Sequence, residues 1–203
     1  MASIRTARPL LENGDRMTRE EFHRRYSQCE DLHRVELIEG VVYMPSPIRD
    51  AGHSREQTVA ILWLATYALG RDAVEARAPA TVLLDDDNEP EPDALLYRAR
   101  PGRIDDDGYL VGAPELVVEI AGSSVSRDLH QKKAAYERNG VLEYIVWRTD
   151  DAAIDWFQLR EGAYVLRTPG DDGIIESEVF PGLRLDVAKM LGCDSAGVLA
   201  ELR

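Results

Sequence analysis

Cysteine is nearly absent from this 203-residue chain: Cys29 and Cys193 stand far apart, with no C-x-x-C pair. That excludes a disulfide framework and a thiolate zinc site, and it points to a reducing, cytoplasmic compartment. Histidine is as sparse, and His23, His33, His53 and His130 include no pair at metal-binding spacing such as H-E-x-x-H. No apolar run is long enough to cross a bilayer. The longest, 60–69, is broken by Thr66 and Tyr67 and is about half the ~20 residues a span needs. The N-terminus has Glu12, Asp15 and scattered arginines but no apolar core of a secretory signal. Positive charge is short as well. A formal net charge of −13 argues against a protein that coats nucleic acid through a broad basic surface. Lysine is the scarcest cation, with only Lys132, Lys133 and Lys189 among 24 basic residues.

What is present is the balance of a folded domain, 44% hydrophobic and 30% charged. The chain has no repeat, low-complexity tract or long linker, so one domain over 1–203 is expected, with 1–17 a loose arm. Thr18-Arg19-Glu20-Glu21 is a capping box that opens a helix. Residues 35–38 and 41–44 flank Glu39-Gly40 as a hairpin, ended by Pro45-Ser46-Pro47. A second helix spans 53–69, its apolar face formed by Val59, Ile61, Leu62, Trp63 and Leu69. Strands follow at 74–84, 93–97 and 115–121, then a helix at 125–139 stopped by Gly140. Residues 142–147 read as a strand covered on both faces. Segments 154–159 and 163–168 form an antiparallel pair, and a short helix at 187–191 closes the chain. This order predicts an α/β fold, a mixed sheet flanked by helices.

Acids cluster between Asp85 and Glu119, where eleven face only Arg98, Arg100 and Arg103. The runs at 85–89 and 105–107 read as solvated loops. Glu119 is different, because it sits inside the apolar run Leu116-Val117-Val118-Glu119-Ile120-Ala121. An ionised carboxylate there costs several kcal/mol unless it is paired, hydrogen-bonded or bound to a cation. Either an Arg or backbone N–H groups satisfy it, or a metal does. Asp93, after Pro92 and before the apolar 94–97, is a second candidate ligand. Two hard oxygen donors favour Mg2+ or Mn2+ over zinc. Val125, Leu129, Lys132 and Tyr136 share one helical stripe, which turns Lys132 inward while Lys133 points elsewhere. Asp128 can reach Lys132 along that helix. Lys132 then either approaches a phosphate or lays its stem over the core edge. Glu36, between Val35 and Leu37, and His53, at the start of the second helix, can each be read as structural residues.

Together these residues resemble a known family. The pattern Glu36-Leu-Ile-Glu-Gly40, Pro45-Ser-Pro47, His53, Pro92-Asp93, Ala113-Pro-Glu-Leu-Val-Val-Glu119-Ile120, Asp128-x-x-x-Lys132-x-x-x-Tyr136 and Gly140-Val-x-Glu-Tyr144 is similar to that of the Uma2 family. That family belongs to the PD-(D/E)XK nuclease superfamily, and the resemblance runs from about Thr18 to Leu191. It implies a restriction-endonuclease-like core in which Asp93, Glu119 and the carbonyl of Ile120 bind Mg2+ or Mn2+. It also implies Lys132 in the lysine role left open by Ala121, Glu36 as a further acidic contact, and accessory places for His53, Asp128 and Tyr136. Gly122, Ile145 and Arg148 depart from the family pattern outside that cluster. The implied activity is metal-dependent endonucleolytic hydrolysis of phosphodiesters, with DNA as substrate, no membrane partner, and a homodimer that could place two sites on one duplex. The rival is a non-catalytic binding or regulatory module on the same fold.

Overall fold

Apolar strand runs meet side by side in the middle of the molecule, and polar or proline-containing segments turn the chain at their ends. The computed structural model describes residues 10–29, 31–44 and 54–203. In chain order the elements are α1 (Arg19–Tyr26), β1 (Glu36–Ile38), β2 (Val41–Tyr43), α2 (Ser54–Ala68), β3 (Val74–Arg77), β4 (Val82–Leu83), β5 (Ala94–Arg98), β6 (Leu110–Val111) and β7 (Leu116–Ala121). A helical segment follows in three pieces: α3 (Val125–Arg127), a wide turn with π-type pairing (Asp128–Lys132), and α4 (Lys133–Asn139). After it come β8 (Glu143–Arg148), β9 (Ala153–Arg160), β10 (Ala163–Arg167), β11 (Ile174–Glu176), β12 (Arg184–Asp186), α5 (Val187–Leu191) and α6 (Ser195–Leu199).

The main sheet has six strands in the order β10-β9-β8-β7-β5-β3. Only β7 and β8 run parallel, because the helical segment between them carries the chain back to the same sheet end. All six residues of β7 are buried, so alternate side chains feed two cores. Leu116, Val118 and Ile120 face the α2 layer with Trp63, Leu64 and Tyr67. Val117 and Ala121 face the opposite layer with Tyr136 and Tyr144. The buried face of α2 is Val59, Ala60, Trp63, Leu64 and Tyr67. Leu62 and Leu69, expected on that face, are exposed instead.

The expected 74–84 strand is in fact two, β3 and β4, separated around the cis Ala78–Pro79 bond; β4 leaves the main sheet to pair with β6. Part of the expected loose arm is packed: Leu11 is buried, and residues 14–17 exchange backbone hydrogen bonds with 40–42. The hairpin turn has both Glu39 and Gly40 at positive φ, as a two-residue turn demands. The acidic stretch 85–89 is only half solvated, since Asn88 and Glu89 are buried. Glu89 exchanges backbone hydrogen bonds with Leu37 and meets the His23 ring. That pairing locks the β1–β2 hairpin beside the segment leading to Asp93.

Gly140 ends α4 at φ 81° with the left-handed geometry expected. No atom lies within 4 Å of where a Cβ would be added, so Gly140→Ala changes only backbone preference. Thermal or denaturant unfolding is expected to show a loss of about 1 kcal/mol.

Candidate active site

Three parts of the chain converge on the β7 edge of the second core. β7 supplies Glu119, the wide turn supplies Asp128 and Lys132, and β1 supplies Glu36. Each of these four side chains is buried. The β5–β7 register pairs Ala94 with Val118, and Asp93, in the bend just before β5, therefore stands beside the Glu119–Ile120 end of β7, where it accepts the Ile120 N–H.

Lys132 is the centre of this arrangement. Its Nζ lies 2.6 Å from Glu119 Oε1, 2.8 Å from Glu36 Oε1 and 3.9 Å from Asp128 Oδ1. Tyr136 OH donates to the same Glu119 Oε1 at 2.9 Å. Glu36 Oε1 also accepts the backbone N–H of Glu91 at 2.9 Å. Asp128 is fixed by Ser124 Oγ at 2.5 Å, and its backbone carbonyl accepts from Tyr144 OH at 2.9 Å. Asp93 Oδ2 accepts the Ile120 backbone N–H at 2.8 Å, and Oδ1 receives Gln57 Nε2 at 3.3 Å. Ile120 sends its side chain to the α2 layer, so its part at this site is played by the backbone. Asp128 and Lys132 open and close the wide turn, and both are buried; π-type turns of this kind often mark functional sites.

The electrostatics are unbalanced in one direction. Burial raises the Glu119 carboxyl well above its ordinary 4.5; Lys132 pulls it back, while Asp128, Glu36 and Asp93 add to the rise. Burial likewise raises Asp93 and Glu91, which faces Glu36. Burial pushes Lys132 down, but Glu119, Glu36 and Asp128 more than reverse this and hold the ammonium above the ordinary lysine range. Tyr136 is raised well above 10.0 by burial and by Glu119, so it remains a donor. One buried cation therefore serves an excess of carboxyls.

The structure brings together Glu36, Asp93, Glu119, Asp128, Lys132, Tyr136 and the Ile120 backbone. His53 lies outside the described residues. Sequence reasoning missed Gln57, Ser124, Glu91, Arg34 and Arg127. Gln57, Glu91, Arg34 and Arg127 arrive through contacts distant in sequence, while Ser124 reaches Asp128 four residues along the chain.

The donor set bears on whether a divalent cation fits. Among the described residues, no three His, Cys, Asp or Glu side chains stand ready-arranged as a metal cage. The available donors are nevertheless hard oxygens, and the hydrogen bonds to Glu119 both fall on Oε1. The carboxyl surplus is the kind of charge that a dication relieves. Asp93, Glu119 and the Ile120 carbonyl thus fit Mg2+ or Mn2+ in chemistry.

A mixed six-stranded sheet with helices on both sides defines an α/β domain. The chain belongs to the Uma2 family, whose model, described as "Putative restriction endonuclease", matches residues 19–188. The fold is similar to a solved structure described as a "putative nuclease belonging to DUF820" from Anabaena variabilis ATCC 29413, with a TM-score of 0.67 and 14% identity over 87% of this chain and 98% of that one. At that identity the likeness shows the fold alone. No curated protein matches the chain. Among the described residues, no helix is long and apolar enough to cross a membrane.

Proposed function

We propose that the chain is a metal-dependent endonuclease that hydrolyses phosphodiester bonds in DNA. The observation that carries this reading is the Lys132 ammonium, buried 2.6 Å from Glu119, with Asp93 hydrogen-bonded to the next residue of the same strand. Family membership supports a nuclease-like activity. Asp93, Glu119 and the Ile120 carbonyl would hold Mg2+ or Mn2+. When bound, such an ion supplies Lewis acidity toward the phosphate and lowers the pKa of a water.

The chain's own residues account for the rest. Lys132 carries a persistent positive charge in a site shielded from water, where it stabilises the negative charge that builds on phosphate oxygens. Glu36 and Asp128 hold that ammonium on their side of the site. Tyr136 fixes the Glu119 carboxyl by donating to one oxygen. Asp93 is anchored by the Ile120 N–H, so its position follows the β7 backbone. This is the pre-set geometry that catalysis by orientation requires.

Labelled duplex and single-stranded DNA, incubated with the protein and Mg2+, Mn2+ or EDTA, test the reading. Cleavage is expected with either ion, none with EDTA, and a loss of about 10²–10³-fold or more in Asp93→Asn. Undiminished cleavage in Asp93→Asn would remove Asp93 from the site.

One observation favours a second reading, a non-catalytic module on the same fold: no ready-made cage exists among the described residues. Thermal melting separates the two. A metal site predicts that Mn2+ stabilises the wild type, and an inert scaffold predicts no change.

A further inference from the structure

Two arginines stand beside the cluster with no hydrogen-bond partner for their guanidinium groups among the described residues. Arg127 Nη2 lies 4.0 Å from Glu36 Oε2, and Arg34 Nη1 lies 3.9 Å from Asp93 Oδ1. Both distances exceed a hydrogen bond. Arg127 is held instead by packing: its guanidinium covers the Tyr43 ring at 5.1 Å, and its buried Nε has no partner among the described residues. Tyr43 is itself tied to the wide turn through Gln131, at 3.2 Å. Arg34 sits at φ 57°, a left-handed conformation that a non-glycine side chain occupies at some energetic expense. Both side chains keep solvent access, at 42% for Arg34 and 29% for Arg127, unlike the buried Lys132.

We propose that Arg34 and Arg127 are positioning residues that grip backbone phosphates of the substrate strand on either side of the cluster. This rests on the phosphodiesterase reading above and narrows it to a polymeric nucleic-acid substrate. The guanidinium fork matches phosphate in a bidentate manner. In a chain of net charge −13, a polyanion needs positive charge at the site itself. These two arginines supply it close to the reacting groups. Arg34 lies two residues before Glu36, and Arg127 directly precedes Asp128, so the phosphate contacts stand next to the site acids along the chain.

The test uses Glu119→Gln protein to measure duplex binding without hydrolysis, by fluorescence anisotropy across a salt series. Adding Arg34→Ala or Arg127→Ala is expected to weaken binding and to reduce the slope of log K against log salt by about one each. Arg127→Lys should keep the slope while binding more weakly. In the otherwise wild-type enzyme, both alanine variants should raise KM for duplex but not for bis(p-nitrophenyl) phosphate, a diester with no neighbouring phosphates. A general folding defect would affect both substrates. If duplex is bound and cleaved but slope and KM are unchanged in the arginine variants, the clamp is wrong and the nuclease reading stands. If the wild type neither binds nor cleaves duplex, both fall.

Discussion

Replacing Lys132 by methionine is expected to slow DNA cleavage by about 10²–10³-fold and to destabilise the protein by about 3–5 kcal/mol. The two effects have one origin. Lys132 is buried among Glu36, Glu119 and Asp128, so its removal leaves carboxylates facing one another with no internal cation. Breaking a buried ion pair from one side is far more damaging than removing both partners. The double variant Lys132→Met/Glu119→Gln should therefore recover part of the lost stability while remaining inactive. Lys132→Arg should not restore cleavage, because a planar guanidinium cannot take the compact place of an ammonium. Chemical denaturation and a cleavage time course on the same samples provide the comparison. A Lys132→Met protein as stable and active as the wild type would show that the buried ammonium serves neither the fold nor the chemistry.

Glu119→Gln should abolish cleavage and also change how metal and pH act on the fold. The folded-state value of Glu119 lies above its ordinary 4.5. A raised carboxyl binds its proton more tightly in the folded state than in the unfolded one. It therefore adds stability as pH falls through the folded value toward 4.5, and that contribution is absent above the folded value. Metal-free wild type should accordingly gain stability on acidification toward pH 4.5, and Glu119→Gln should lose that part of the gain. Asp93 and Glu91 shift the same way, so a residual gain should persist in the variant. Mn2+ at a hundredfold excess over its Kd should stabilise wild type by about 2.7 kcal/mol and leave Glu119→Gln unmoved. Because the ion competes with protons for the carboxyls, its effect should weaken at lower pH. Melting curves over pH, with and without Mn2+, read all three effects.

Much of this site could be read in the sequence, for reasons that differ residue by residue. Glu119 stands out because its neighbours in β7 are all apolar, and burial of such a run is a local property. Lys132 stands out because lysine is scarce here and helical spacing turns it inward. The sheet was legible for the same reason as Glu119: Leu116–Ala121 and Glu143–Arg148 are almost continuous apolar runs. The wide turn at Asp128–Lys132 was not, since helical spacing alone predicts an unbroken helix there. Asn88 and Glu89 look solvated from their acidic neighbours, but pairing with Leu37 and Glu39, some fifty residues distant, buries them. Gln57, Arg34 and Arg127 gave no sequence signal for the same reason. The break after β3 was visible in principle, as Pro79 cannot donate to a sheet ladder. β11, β12 and α6 were too short to show a period.

The proposed function depends on the surplus of buried acid around Lys132 receiving a divalent cation. Crystals grown with Mn2+ and measured at a wavelength where manganese scatters anomalously test it most directly. An anomalous peak is expected in contact with Asp93, Glu119 and the Ile120 carbonyl, lost in Glu119→Gln. A peak elsewhere, or none at saturating Mn2+, would contradict the proposed function.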